Sequence, residues 1–515
     1  MKSTFALAGL AATATLTTVV YAKQQLEVSH EPLSGFFAAD GTPSHPKFLA
    51  SRWETSELPL DFRKRDISGA GSKRSDKACR SERGKQHAKD HHGQFKDRHS
   101  IRETLDHLGN TVSSWIEGGK MHDHSMGIVI NKATDNSADN EWLVNVGFGT
   151  RAQKLKMVFD SGSSDTWVYS PACCYANNHT FFDPARSSTY HNRTVDASGN
   201  PQVAAAGTPG QAWSYSYGSG STSNGYVGID DFTFGQQRLK VEQLPLALIT
   251  SITGGSRASR GMEGLVGLSS GSGSSTQGGW TTPFEAMSSR GQIAETYLTA
   301  TLRKADRNTG KGGGGRYTFG EIDDELLDGN ITWTRALSPY LWAGYFDQMT
   351  MGDTLLAKAP GTADRPQRFM IDTGSAVFYL PSPIVADINN QIKGSYVADQ
   401  SSGLAFPYLV PCDTGLKHYE RKAKNPTFNL QVGGTNFTIP KEDYVFYANE
   451  PIPPATIGGR KNMCYSAFQT GPAQISIIGL SFIKNHVVVL DQGGRNLTVS
   501  ARRIGLGQRK DVRYE

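Results

Sequence analysis

Val158-Phe159-Asp160-Ser161-Gly162-Ser163-Ser164 returns 212 positions later as Met370-Ile371-Asp372-Thr373-Gly374-Ser375. Each copy sets an aspartate after a short apolar run and ahead of a hydroxyl residue, a glycine and a serine. One such stretch is an ordinary strand-to-turn sequence in which the aspartate is a turn residue. Two, roughly one domain apart, read as a duplicated lobe that contributes one carboxylate per copy. Two carboxylates held close together do not both ionise easily, so they share a proton; one is then a base for water and the other an acid.

The chain has 515 residues, enough for two or more domains or lobes. Lys2, the apolar run from Phe5 to Val20 and the small residue Ala22 read as a secretory signal peptide over residues 1–22. That run is short for a membrane span, and no later stretch approaches the length of one. The charged end Arg509-Lys510-Asp511-Val512-Arg513-Tyr514-Glu515 argues against a lipid-anchor signal. The expected product is soluble, secreted and extracellular, with no membrane anchor. Five cysteines agree with an oxidising compartment without implying a disulfide-built fold. Cys412 and Cys464 are the natural pair, closing a loop in the second half. Cys173 and Cys174 bond each other, or one of them pairs with Cys79; spacing leaves both open. Sequons begin at Asn178, Asn192, Asn330, Asn436 and Asn496.

The formal charge of +5 is unevenly spread. Residues 63–102 carry 13 Lys/Arg against 5 Asp/Glu, and seven of the 13 histidines fall between His87 and His124. With few aromatics and little periodicity, this region cannot bury much of itself. No stacking aromatics are interleaved with its charges, which excludes a nucleic-acid patch. His91-His92 and His122-Asp123-His124 complete no metal-ligand spacing, so no metal is expected. Residues 23–125 therefore read as a basic propeptide, with dibasic pairs Lys64-Arg65 and Lys73-Arg74 available to a kexin-like processing protease. Such a segment would lie over an acidic cleft at neutral pH. It would loosen in acid, as the carboxylates of the cleft are protonated and histidines gain charge.

From Met126 the texture changes to short alternating runs, such as Trp142 to Phe148 and Val487 to Leu490, separated by Gly, Ser, Asn and Pro. Helical signals are confined to Pro283–Met287 and Ser382–Ile388. The body is expected to be all-β with a few short helices. Gly312 to Gly315 reads as a turn or lobe junction, dividing a first lobe (126–311) from a second (312–503) and leaving 504–515 as a charged tail. It lacks the Gly-Lys-Ser/Thr ending of a phosphate loop.

With these pieces placed, the body resembles the pepsin-like aspartic proteases over most of residues 127–502. Asp160 to Val168, with Trp167 at its offset, is similar to that family's first catalytic motif. Tyr215-Ser216-Tyr217-Gly218-Ser219-Gly220-Ser221 looks like the hairpin flap that closes over substrate. Glu263 to Leu268 and Ile475 to Leu480 resemble the paired apolar-apolar-Gly segments beneath the two catalytic loops, and Tyr317 to Asp323 the opening of the second lobe. The resemblance implies a bilobal fold with a central cleft, and a zymogen whose own propeptide is its intramolecular inhibitor. It implies a monomeric endopeptidase acting on protein and peptide substrates, with no metal, cofactor or covalent intermediate. A water between Asp160 and Asp372 would attack the peptide carbonyl, one carboxylate acting as base and the other as acid. Ser161 and Thr373 would tie the two loops together, and Ser163 and Ser375 would donate to the outer carboxylate oxygens. Gly162 and Gly374 would permit the close approach. Trp167 would accept the hydroxyl of the flap residue Tyr217.

The chain departs from the family pattern at Ser161, where threonine is commoner, and at Ala376, where a second hydroxyl is usual. The loss at Ala376 is expected to weaken a hydrogen bond near Asp372 and to move the pH optimum. The adjacent cysteines replace the usual small disulfide loop. Val158 and Met262 align with the pocket for the residue before the cut bond, and Ser219 on the flap is neutral, so hydrophobic preference on both sides of the cut is expected. Two rival readings stand beside this one. Gly267-Leu268-Ser269-Ser270-Gly271 fits the serine-hydrolase elbow pattern, which requires a helix directly after the serine. A pepsin-like binding or inhibitor module without catalysis would normally have lost an aspartate, a motif glycine or the flap tyrosine, and this chain keeps all of them.

Overall fold

The computed structural model describes residues 128–514, apart from 137–138, 140, 174–179, 218–221, 237, 254–260, 275, 277–278, 307–312, 405 and 447–450. The leader, the basic segment 23–125, Cys79, Cys174, Asn178, Gly218 and Ser219 lie outside the described residues.

The duplicated stretch sets the architecture. Strand Gln153–Asp160 runs parallel to Gly264–Gly267, which is antiparallel to Trp167–Tyr169, itself parallel to Leu239–Thr253. The second half repeats this order: Arg368–Ile371 is parallel to Ser476–Ile478, which is antiparallel to Phe378–Leu380, itself parallel to Phe468–Thr470. Register repeats as well. Val158 and Trp167 both face Leu265, while Met370 and Tyr379 both face Ile477. These partners keep the 212-residue spacing of Ser161 and Thr373. Strands flanked by parallel neighbours and buried on both faces need continuous apolar side chains, which is why Met157 to Phe159 and Ile477-Ile478 show no alternation.

A fifteen-stranded sheet joins the two halves. At its centre Gly314–Phe319 pairs with both Val129–Asn136 and Tyr297–Arg303. The glycine run thus feeds a strand of the shared sheet, where the sequence reading has a turn and the start of a separate lobe. A Cβ on Gly315 would press on the Thr301 carbonyl, so the run is a close-packing device. The supposed charged tail is corrected in the same way. Arg503–Arg509 is a strand between Leu327–Arg335 and Val487–Asp491. Ile504 and Leu506 are fully buried, and the guanidinium of Arg509 is internal, donating to the carbonyls of Leu302 and Lys484 and pairing with Asp511 at 2.8 Å. Charge hid this strand because its arginines are partnered.

Of the helices, Pro283–Ser289 starts with a capping box in which Thr282 and Glu285 satisfy each other's backbone N–H groups, with Pro283 in the first turn. Ser382–Gln391 buries Ile384, Val385 and Ile388. Lys417–Ala423 and Leu480–Ile483 are two further helices. Cys412 and Cys464 form a disulfide with Cα atoms 5.0 Å apart. Besides the main core, a separate apolar cluster gathers Val158, Trp167, Trp213 and Leu265 with half-buried Tyr215, Tyr217 and Met262. A smaller one in the second half gathers Leu341, Met370 and Ile477 with Tyr340 and Tyr379. No helix among the described residues is long and apolar enough to cross a membrane.

Candidate active site

Each copy of the repeat ends a strand and turns at once, so its aspartate stands where the strand stops. The main chain fixes both turns from below. Leu268 N–H donates to the Asp160 carbonyl and Ser269 N–H to that of Ser163; in the other half, Leu480 N–H donates to the Ser375 carbonyl. The two turns then grip each other. Ser161 N–H donates to Thr373 Oγ1 at 2.9 Å, and Thr373 N–H to Ser161 Oγ at 3.0 Å. The hydroxyls pass the bond on: Ser161 Oγ donates to the Ile371 carbonyl at 2.9 Å, and Thr373 Oγ1 to that of Phe159 at 2.6 Å. The buried Tyr317 hydroxyl also hydrogen-bonds Thr373. A serine at 161 therefore makes every bond the grip requires.

The carboxylates meet face to face. Gly162 N–H donates to Asp160 Oδ1 at 2.8 Å and Gly374 N–H to Asp372 Oδ1 at 2.9 Å. Ser163 Oγ donates to Asp160 Oδ2, and Ser375 Oγ to Asp372 Oδ2 at 2.6 Å. The two carboxyls stand close enough to share a proton. Contact is close enough that a Cβ on Gly162 would lie 2.5 Å from Asp372 Cγ, and one on Gly374 2.5 Å from Asp160 Oδ1. Asp160 and Asp372 are only 6% and 8% exposed. Burial first, and then the negative charge of Asp372, push the Asp160 carboxyl well above the usual range, against the lowering effect of Ser163 and Gly162. The Asp160 carboxyl therefore holds its proton to higher pH than an exposed aspartate does.

Above the first carboxylate, Tyr217 follows strand Ala212–Ser216, which pairs with Thr222–Phe234 as a hairpin. Trp167 Nε1–H donates to the Tyr217 hydroxyl at 2.5 Å. This reverses the expected direction, since an indole nitrogen has no lone pair to accept with. Val158, Trp167, Tyr217 and Met262 share one apolar cluster. Ala376 is also corrected in detail. Its counterpart Ser164 donates to the Ser270 carbonyl, not to a carboxylate, so the missing hydroxyl is a loop fastening. Ser481 makes up part of it by donating to the Ala376 carbonyl through Oγ at 2.9 Å. The elbow-like Ser269 is fully buried, donates to the Tyr340 carbonyl and is followed by a single 3-10 turn at Gly271–Gly273, not by an α-helix. Sequence reasoning missed Asp165, Trp213 and Arg193, although the Trp213-x-Tyr215-x-Tyr217 alternation puts three aromatics on one face of the flap strand.

Fold and site together define a pepsin-like aspartic endopeptidase, a hydrolase. The family model for eukaryotic aspartyl proteases matches residues 141–502, and the chain belongs to that family. It is similar to rhizopuspepsin of Rhizopus chinensis, 28% identical over 378 residues that cover 73% of this chain and 81% of the relative. Syncephapepsin of Syncephalastrum racemosum is 27% identical, covering 70% and 77%. Gastricsin of Rattus norvegicus is 24% identical, covering 70% and 80%.

Proposed function

We propose that this chain is a secreted aspartic endopeptidase, made as a zymogen, that cuts proteins at acidic pH between hydrophobic residues. The observation that carries the reading is the facing pair Asp160 and Asp372, buried, symmetric and each held by the glycine N–H and serine hydroxyl of its own turn. In this reading the ionised member takes a proton from water as it attacks the peptide carbonyl. The protonated member polarises that carbonyl and then serves the leaving nitrogen. Ser163 and Ser375 hold the outer oxygens so that the inner ones face the water. Tyr217, held by Trp167, closes over the substrate and excludes solvent. Both carboxylates come from one chain, which supports a working monomer. The apolar groups around Val158, Tyr217 and Met262, and around Met370, Ile477 and Tyr379, support hydrophobic preference on either side of the cut. Signal-like residues 1–22 and basic residues 23–125 support secretion and an inhibitory propeptide.

The test is digestion of denatured haemoglobin by the proform brought to about pH 3–4, with and without pepstatin, beside Asp160→Asn. Pepstatin-sensitive digestion that vanishes in the variant is expected. No digestion after demonstrated removal of the prosegment would transfer the assignment to a silent pepsin-like binding module. Cleavage confined to lysine or arginine bonds would overturn the specificity.

A further inference from the structure

The flap strand is fastened to the first catalytic loop at a second point, away from its tip. Trp213, 4% exposed, donates its indole N–H to Asp165 Oδ2 at 2.7 Å. Asp165 is 1% exposed and lies five residues beyond Asp160, two residues before Trp167. Trp213 stands four residues before Tyr217, so both project from the same face of the extended strand. Tyr215 lies between them, stacked on Trp213 at 6.2 Å with the planes 13° apart and 4.7 Å from the Tyr217 ring. The segment Asp165–Trp167 thus holds the flap strand at Trp213 and again at Tyr217, with an aromatic bridge between the two fastenings.

A buried carboxylate needs compensation, and the site supplies it. Arg193, 3% exposed, donates to the Gly279 carbonyl at 2.7 Å. Burial weakens its hold on a proton, and the charge of Asp165 works against that. Arg193 thus feels the charge of Asp165, while Trp213 gives the same carboxyl a direct hydrogen bond. Resting on the protease reading, we propose that Asp165 and Trp213 are positioning residues that fix the root of the flap, so that Tyr217 closes in register over the two aspartates.

Trp213→Phe keeps an aromatic ring, a smaller one, and removes the donor; Asp165→Asn keeps the shape and removes the acid. Activity is measured per pepstatin-titrated site, so misfolded protein does not count. The expected result is a fall in kcat/KM of roughly tenfold, carried by KM for peptides long enough to touch the flap. The double variant should lose no more than the worse single one, because the two share one interaction. Ser214→Ala, on the solvent side of the same strand, should match wild type. Hydrogen exchange of residues 212–217 provides a readout independent of catalysis and should quicken in both single variants. Unchanged KM with unchanged exchange in Trp213→Phe overturns the proposal, and so do additive losses in the double variant. A wild-type chain that cuts nothing would sink the protease reading, while the exchange rates would still test the anchor.

Discussion

Replacing Asp160 by asparagine should stabilise the protein at neutral pH while abolishing its activity. The unfolded carboxyl loses its proton near pH ~3.9, whereas the native pair keeps one to a higher pH. Between those values the native state binds more protons than the unfolded state, so stability is present in acid and drains away as pH rises. The slope approaches about 1.4 kcal/mol per pH unit. At ~2.1 cal/mol/K per residue, the body from 128 to 514 has an unfolding entropy of about 0.8 kcal/mol/K, so the slope corresponds to roughly 1.5–2 °C per pH unit. Asparagine fits the site. Its oxygen can accept from Gly162 N–H as Oδ1 now does, and its NH2 can donate to Ser163 Oγ once that hydroxyl turns. The assay is differential scanning calorimetry of both proteins from pH 4 to pH 7, with intact mass checked after each scan to exclude autolysis. The Tm advantage of Asp160→Asn should widen as pH rises from 4, until the native pair gives up its proton. A constant difference, or one that narrows, would refute the claim that the buried pair holds its proton at a cost to neutral stability.

Gly374→Ala should cut kcat by about a hundredfold or more per folded molecule, because its Cβ would lie 2.5 Å from Asp160 Oδ1 and push the carboxylates apart; a kcat within about threefold of wild type would contradict the geometry. Ala376→Ser should leave both limbs of the pH–rate profile within about 0.3 unit of their wild-type positions, since the equivalent Ser164 bonds a carbonyl. A larger shift would restore the idea that this position tunes Asp372. His486 is wholly buried, and burial lowers its pKa to about 3 from 6.5. Here the unfolded state binds more protons, so stability falls as pH drops from about 6.5 towards 3, by roughly 4–5 kcal/mol in all. His486→Phe should therefore gain about 4 °C over wild type on going from pH 7 to pH 4, read by thermal melts, and a flat difference would show that His486 is charged in the native state.

What the sequence made legible follows from what periodicity and repetition encode. The two Asp-hydroxyl-Gly-Ser turns are legible because a duplicated unit repeats its chemistry at a fixed spacing, and Ser161 with Thr373 follows from that symmetry. The Asp165–Trp213 bond joins residues 48 apart, one in the loop before strand Trp167–Tyr169 and the other in strand Ala212–Ser216, and no local pattern announces it. Lys417–Ala423 buries no residue, so it has no apolar stripe to betray a helix. Leu480–Ile483 fails oppositely, since four buried residues in a row read as a strand.

The misread C-terminal strand bears on how such a molecule works in acid. Lys484 is 7% exposed in its side chain and lies 2.8 Å from Asp443 and 3.0 Å from Asp139, with Lys304 3.0 Å from Asp443. Burial alone would raise the Asp443 carboxyl, but Lys304 and Lys484 hold it well below the ordinary range. Its stabilisation is present above the unfolded carboxyl's pKa and is lost only at lower pH, as the native group at last takes a proton. The Arg509 guanidinium, which donates to the Lys484 carbonyl, locks the last strand onto this cluster. Two groups thus pull in opposite directions across the acid range. The carboxylate pair in the cleft favours low pH, His486 disfavours it, and Asp443, held by Lys304 and Lys484, keeps its charge below the ordinary carboxylate range. A protease reading of the cleft requires a fold that survives where the cleft is singly protonated; the loss at Asp443 is confined to pH below the ordinary carboxylate range and spares that window, whereas buried His486 limits stability within it.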